Sequence, residues 1–148
     1  MESFDEEMMK LAIVEAKKCI PVETAYNVGA VLVKDKKIYS KGFSREIEGN
    51  THAEECCIIK SNEAGEEIDG AEIYTTMEPC CLRLSGKTPC VEHILKMKIQ
   101  RVIIGVQEPE HFVKDNNSIE ILRNQGIKVD FVPSLQNECK LLNQHLEK

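Results

Sequence analysis

Four residues in this chain have the types and spacing to do chemistry together: His52, Glu54, Cys80 and Cys90. His52 stands in His52-Ala53-Glu54, Cys80 in Glu78-Pro79-Cys80, and Cys90 in Thr88-Pro89-Cys90. One imidazole and two thiolates are zinc ligands, and a catalytic zinc takes three protein ligands and keeps a fourth position open for water. Zinc lowers the pKa of that water to about 7, so hydroxide becomes available at neutral pH. A carboxylate that does not ligate the metal, here Glu54, can then carry protons as base and acid in turn. Two thiolates and one imidazole leave the site with little net charge.

Each piece alone is weak, because His-x-Glu and Pro-Cys both occur by chance. A competing account makes Cys80 and Cys90 buried thiols and His52 a capping or surface residue. A second ligand set, His52 with Cys56 four residues on, would leave both Pro-Cys pairs without a purpose. Cys81 reads as a packing residue, since neighbours in the chain rarely both point at one ion. Glu54 also has a purely structural alternative: with Thr51 as N-cap, Thr51-x-x-Glu54 is a capping box. Pro79 and Pro89 suit the first turn of a helix, where a missing N–H costs nothing. A thiolate placed there gains from the positive end of the helix dipole.

Elements able to position these residues can be read from the hydrophobic pattern. Residues 4–19 carry apolar side chains at helical spacing, and Pro21 closes that segment. Residues 28–33 and 38–43 form a hairpin about the turn Lys34-Asp35-Lys36-Lys37. A helix is expected from His52 to about Ala64, stopped by Gly65. A strand at 73–77 leads to the two Pro-Cys pairs, and a helix covers 91–97. Residues 101–106 read as a strand buried on both faces. A helix at 118–125 is closed by Gly126, a last strand spans 127–132, and a final helix spans 134–146. Alternation after the hairpin implies an α/β architecture of three layers. Its centre is a five-stranded mixed sheet, an opening hairpin followed by parallel strands, flanked by helices. Residues 107–117 make the longest irregular stretch, a candidate loop over the site.

Composition bounds the partners. The chain has 148 residues, enough for one domain with its own core, and residues 1–148 read as a single domain. Net charge is −6 and the basic residues are scattered, which argues against a nucleic-acid footprint. Tryptophan is absent and aromatics are few, so base-stacking platforms are not expected. No run approaches the roughly 18 apolar residues of a membrane span. The acidic start, Glu2, Asp5, Glu6 and Glu7, lacks the features of a secretory or mitochondrial signal. Seven cysteines, with two adjacent pairs, fit a reducing compartment better than a disulfide framework. The expectation is a cytoplasmic protein, with the nucleus also open to it, acting on a small molecule.

At His52-Ala53-Glu54 and the later cysteines the chain resembles the cytidine-deaminase-like superfamily, whose layout is His-x-Glu followed by Pro-Cys and a further Cys. More closely, it is similar to the pyrimidine deaminases of riboflavin biosynthesis. The resemblance covers nearly the whole chain. It rests on Val28-Gly29-Ala30-Val31-Leu32-Val33, on Asn50-Thr51-His52-Ala53-Glu54, on Tyr74-Thr75-Thr76-Met77-Glu78-Pro79-Cys80, and on Ser85-Gly86-Lys87-Thr88-Pro89-Cys90. The nine residues between Cys80 and Cys90 replace the two of the common short form. Bacterial members carry Pro-Asn-Pro before the first strand, whereas this chain has Thr24-Ala25-Tyr26-Asn27. The stretch from Glu78 to Lys87 is instead similar to the fungal type.

That resemblance implies a Zn²⁺ cofactor, a homodimer, and hydrolytic loss of an exocyclic amine as ammonia. It implies 2,5-diamino-6-(ribitylamino)-4(3H)-pyrimidinone 5′-phosphate as substrate, with the ribosylamino compound the alternative. Asn27 is a candidate to read the pyrimidine edge, and Arg45, Arg83 and Lys87 are candidates for the phosphate. Two other functions stay open: a nucleoside or tRNA deaminase, and a silent zinc-binding partner subunit. The second would be expected to lack Glu54.

Overall fold

The structure is a computed structural model that describes residues 3–22, 25–48, 51–79, 90–107 and 117–146. Helix α1 spans Phe4–Ala16 and opens on a capping box, Ser3 with Glu6. Strands β1, Gly29–Lys34, and β2, Lys37–Phe43, form the expected hairpin. Helix α2 is Ala53–Glu63, and Gly65 with φ +73° allows the chain to leave it. Then come β3, Glu72–Met77, α3, Cys90–Lys96, and β4, Arg101–Val106. Helix α4 is Ser118–Asn124, β5 is Lys128–Phe131, and α5 is Gln136–Leu141.

The sheet order is β2-β1-β3-β4-β5. Strand β1 is antiparallel to both its neighbours, while β3, β4 and β5 are parallel. Successive side chains of a strand face opposite sides, and both sides are apolar here. Ala30, Leu32, Ile73, Val102 and Ile104 face a core shared with α2, α3 and α4. Val31, Val33, Tyr74 and Ile103 face a second core built with α1 and the C-terminal turns. The three-layer mixed-sheet expectation therefore holds.

Two glycines set how closely the helices approach. A Cβ on Gly29 would lie 1.9 Å from the Ala12 carbonyl oxygen of α1. A Cβ on Gly42 would lie 2.6 Å from the Ala53 carbonyl oxygen, at the first turn of α2. Helix α2 is thus pressed onto β2 at the turn that carries His52.

The C-terminal segment differs from the single helix expected over 134–146. It is a 3₁₀ turn at Pro133–Leu135, then α5, then a second 3₁₀ turn at Gln144–Leu146. The N–H groups of Leu142 and Asn143 donate three residues back, to Cys139 and Lys140. That tightening buries the polar Asn143 side chain.

Candidate metal and catalytic site

The antiparallel β1 and the parallel β3 bring their opposite termini to one end of the sheet. Ala30 pairs with Thr75, and Gly29 pairs with Phe43. The residues just before β1, just after β2 and just after β3 therefore gather there. In open α/β sheets this end, beyond the carboxyl ends of the parallel strands, is where ligands bind.

His52 is the N-cap of α2, with φ −89° and ψ 159°. Its own N–H donates to Oε1 of Glu55 at 3.2 Å. The capping box therefore begins one residue later than the sequence suggested, and Glu55, not Glu54, closes it. Thr51 does other work: its hydroxyl donates to the Ile47 carbonyl at 2.6 Å and accepts from the Ile47 N–H at 3.2 Å. Glu54 is relieved of the capping role and sits buried, 3% exposed, in the first turn of α2.

Cys90 is the first residue of α3 and fully buried. Its Sγ lies 3.2 Å from Nδ1 of His52. Two ligands of a tetrahedral zinc, one nitrogen and one sulfur at ordinary bond lengths, stand roughly 3.5 Å apart. The observed spacing is close to that, so the donor pair fits zinc by type and by separation. Cys80, Arg83 and Lys87, and the loop residues 108–116, lie outside the described residues.

The residues just after β3 are held from behind. Glu78 is buried, and its N–H donates to the Val106 carbonyl at 2.9 Å. Its Oε2 accepts from Oγ of Ser118, the first residue of α4, at 2.7 Å. Strand β3 is thereby held to β4 and α4 two residues before Cys80.

Asn27 is buried at the same end. Its Oδ1 accepts from Nη2 of Arg45 at 2.5 Å. The same guanidinium donates to the carbonyls of Tyr26, at 3.1 Å, and Ile20, at 3.2 Å. Arg45 has φ +64°, an uncommon conformation for a side chain of its size. Arg45 was a phosphate candidate, but three protein acceptors already engage its guanidinium. Asn143 completes the arrangement. Its Oδ1 accepts from the Asn27 N–H at 2.5 Å, and its Nδ2 donates to the Asn27 carbonyl at 3.1 Å. Nothing in the sequence pointed to Asn143, which is 116 positions away. Glu55 had a signal, its i+3 spacing from His52, that the Thr51 box obscured.

The remaining described thiols are packing groups. Cys19, Cys56, Cys57 and Cys139 are buried and free. Burial pushes the Cys139 thiol up to about 12, and pushes Cys56 and Cys57 up as well, so each is held as a neutral thiol. Cys56 is the alternative ligand partner of His52, and its Sγ donates to Oγ1 of Thr51 at 3.2 Å.

A mixed five-stranded sheet between two helical layers, with a His/Cys pair and a buried carboxylate on the first turns of α2 and α3, defines the class: an α/β protein of three layers. The family model for the cytidine and deoxycytidylate deaminase zinc-binding region matches residues 2–106, and the chain belongs to that family. Within it, the chain is 46% identical over 136 residues to a diaminohydroxyphosphoribosylamino-pyrimidine deaminase of Schizosaccharomyces pombe, covering 90% of this chain and 33% of that protein. It is 36% identical over 148 residues to the riboflavin biosynthesis protein RibD of Aquifex aeolicus, covering 97% of this chain and 39% of that protein. The Aspergillus oryzae Rib2 deaminase, a C-terminal deletion mutant in complex with DARIPP, superposes with a TM-score of 0.86 at 29% identity, covering 99% of this chain and 93% of that one. The chain spans 33% and 39% of the length of the two sequence relatives.

Proposed function

We propose that this chain is a zinc-dependent hydrolytic deaminase of riboflavin biosynthesis. It removes the exocyclic 2-amino group of 2,5-diamino-6-(ribitylamino)-4(3H)-pyrimidinone 5′-phosphate and releases ammonia. The observation that carries this reading is the 3.2 Å approach of His52 Nδ1 to Cys90 Sγ, with Glu54 buried two residues beyond His52, in a chain of this family. The names of the S. pombe and A. aeolicus relatives support the substrate class.

His52, Cys80 and Cys90 would hold the Zn²⁺. When bound, the metal supplies a water acidified to near neutrality. Glu54, two residues beyond His52, would carry two protons in turn on its carboxylate: the first from the attacking water to the ring nitrogen, the second from the hydroxyl so added to the amine, which leaves as ammonia. Its burial keeps solvent from competing for those protons. Asn27 presents its amide to the pyrimidine. Because Arg45 Nη2 fixes Oδ1, the amide NH₂ is turned the other way, as a donor with one set orientation. Arg45 thus acts through Asn27, and Arg83 and Lys87 are the candidates for the phosphate. A homodimer and a cytoplasmic location complete the proposal. The five described cysteines, all free and buried, fit a reducing compartment.

The test is ammonia release from the ribitylamino pyrimidine phosphate, its ribosylamino analogue and cytidine, with zinc content measured alongside. Release from the ribityl compound alone, lost in Glu54→Ala, is the expected result. Release from cytidine in preference, or none from any compound at one zinc per chain, overturns it.

A further inference from the structure

Helices α2 and α3 meet twice. At their amino-terminal ends, His52, the N-cap of α2, faces Cys90, the first residue of α3. One turn deeper, Oε2 of Glu55 lies 3.9 Å from Nε2 of His93. Glu55 follows His52 by three residues and His93 follows Cys90 by three, so each stands on the same helix face as its ligand. Nε2 of His93 is a buried side-chain polar atom with no hydrogen-bond partner, the only one of its kind among the described residues. A buried polar atom of this sort calls for a partner, and the facing carboxylate is one small rotation, or one bridging water, away. The other carboxylate oxygen, Oε1, already holds the backbone N–H of His52.

We propose that Glu55 is a positioning residue for the metal centre, and that His93 is its counterpart on α3. Through Oε1, Glu55 fixes the backbone from which the His52 ring projects. Through Oε2 and His93 it ties that backbone to the helix that presents Cys90. The pair sets the spacing of the two ligands from behind, without touching metal or substrate. Outer partners of metal ligands commonly govern affinity by 10–100-fold. Neither residue belongs to the His-x-Glu or Pro-Cys pattern, and His93 has no other assignment in the molecule.

This inference rests on the zinc reading above, and the experiment separates the two. Zinc affinity is measured by competition with a chromophoric chelator for the parent protein, Glu55→Ala, Glu55→Gln, His93→Phe and the double variant Glu55→Ala/His93→Phe. The melting temperature of each zinc-free protein is recorded as well. Expected is a roughly 10–100-fold loss of affinity in Glu55→Ala. Glu55→Gln keeps an acceptor for the His52 N–H and should recover part of it. His93→Phe should show a smaller loss, and the double variant no more than Glu55→Ala alone. A parent that binds no zinc overturns the zinc reading. A parent that binds zinc, with Glu55→Gln and His93→Phe both within twofold of it, overturns the positioning role even if Glu55→Ala fails to fold. Equal losses of melting temperature at unchanged zinc affinity would reduce Glu55 to an ordinary helix cap.

Discussion

The two ends of the sheet both concentrate charge, and they use it in opposite ways. At the end where β3, β4 and β5 begin, Arg101 is the hub. Its Nη2 and Nη1 meet Asp5 at 2.7 and 3.1 Å, its Nη1 meets Glu72 at 3.0 Å, and its Nε meets Asp130 at 2.7 Å. Tyr74 adds a hydroxyl to Asp5 at 2.6 Å. These bonds join α1 to three strands, and every group there has its partner within the protein. At the other end, His52 and Cys90 are pressed to 3.2 Å, and Glu54 is buried two residues beyond His52. One end spends its charged groups on each other. The other brings His52 and Cys90 together by backbone capping and by packing. Under the proposed function, stability and chemistry lie at opposite ends of the same strands.

That contrast is open to test, beginning with the largest effect. Dialysis against a strong chelator should abolish ammonia release, and added Zn²⁺ should restore it, whereas the same treatment of an Arg101 variant should follow an identical course. Glu54→Gln should keep zinc and fold while lowering kcat by about 10²–10⁴-fold, the usual worth of a positioned acid–base group. A loss of only a few-fold would remove Glu54 from the chemistry. Arg45→Ala removes the donor that orients Asn27, and we expect KM to rise by roughly tenfold at nearly constant zinc affinity, read from steady-state kinetics.

The opposite end should respond in stability alone. Arg101→Met strands three carboxylates, and because the cluster is partly solvated the cost should be about 2 kcal/mol. In thermal unfolding this is a fall of roughly 4–8 °C, with kcat at 25 °C unchanged. The smallest effect is on acid sensitivity. Hydrogen bonds from Arg101, opposed by partial burial and aided by Tyr74, hold the Asp5 carboxyl below its ordinary 3.8. Its contribution is present in full above the unfolded value and is lost as pH falls through the depressed folded one. Asp5→Asn should therefore flatten the loss of stability below about pH 4, measured by denaturant titration, and leave the neutral-pH rate alone.

Much of this could be read from the chain because local signals and global fold agree. The hairpin turn at Lys34-Asp35-Lys36-Lys37 appears where expected, with Asp35 and Lys36 at positive φ. Strand β4 was legible as a doubly buried run, and Gly65 and Gly126 stop α2 and α4 as their φ of +73° and +83° require. Cys90 is the first residue of α3, as expected of a residue at a helix start. What could not be read depends on contacts between distant residues. The capping box moved by one position because Thr51 found a closer partner in Ile47, which no i+3 rule anticipates. Arg45 looked like a free loop cation, since its acceptors at Ile20, Tyr26 and Asn27 lie 18 to 25 residues earlier. The C-terminal helix divides because Asn143 must turn inward to Asn27, a demand invisible in a pattern of apolar residues.

That last contact has a consequence for how the protein is made. Asn143 binds both the N–H and the carbonyl of Asn27, as a neighbouring strand would. A nascent chain leaves the ribosome amino terminus first, so His52, Glu54 and Cys90 are all synthesised before the residue that braces Asn27. His52 and Cys90 can meet while Asn27 is still unbraced. During synthesis, the approach of α2 to α3 would come first and the bracing of Asn27 last.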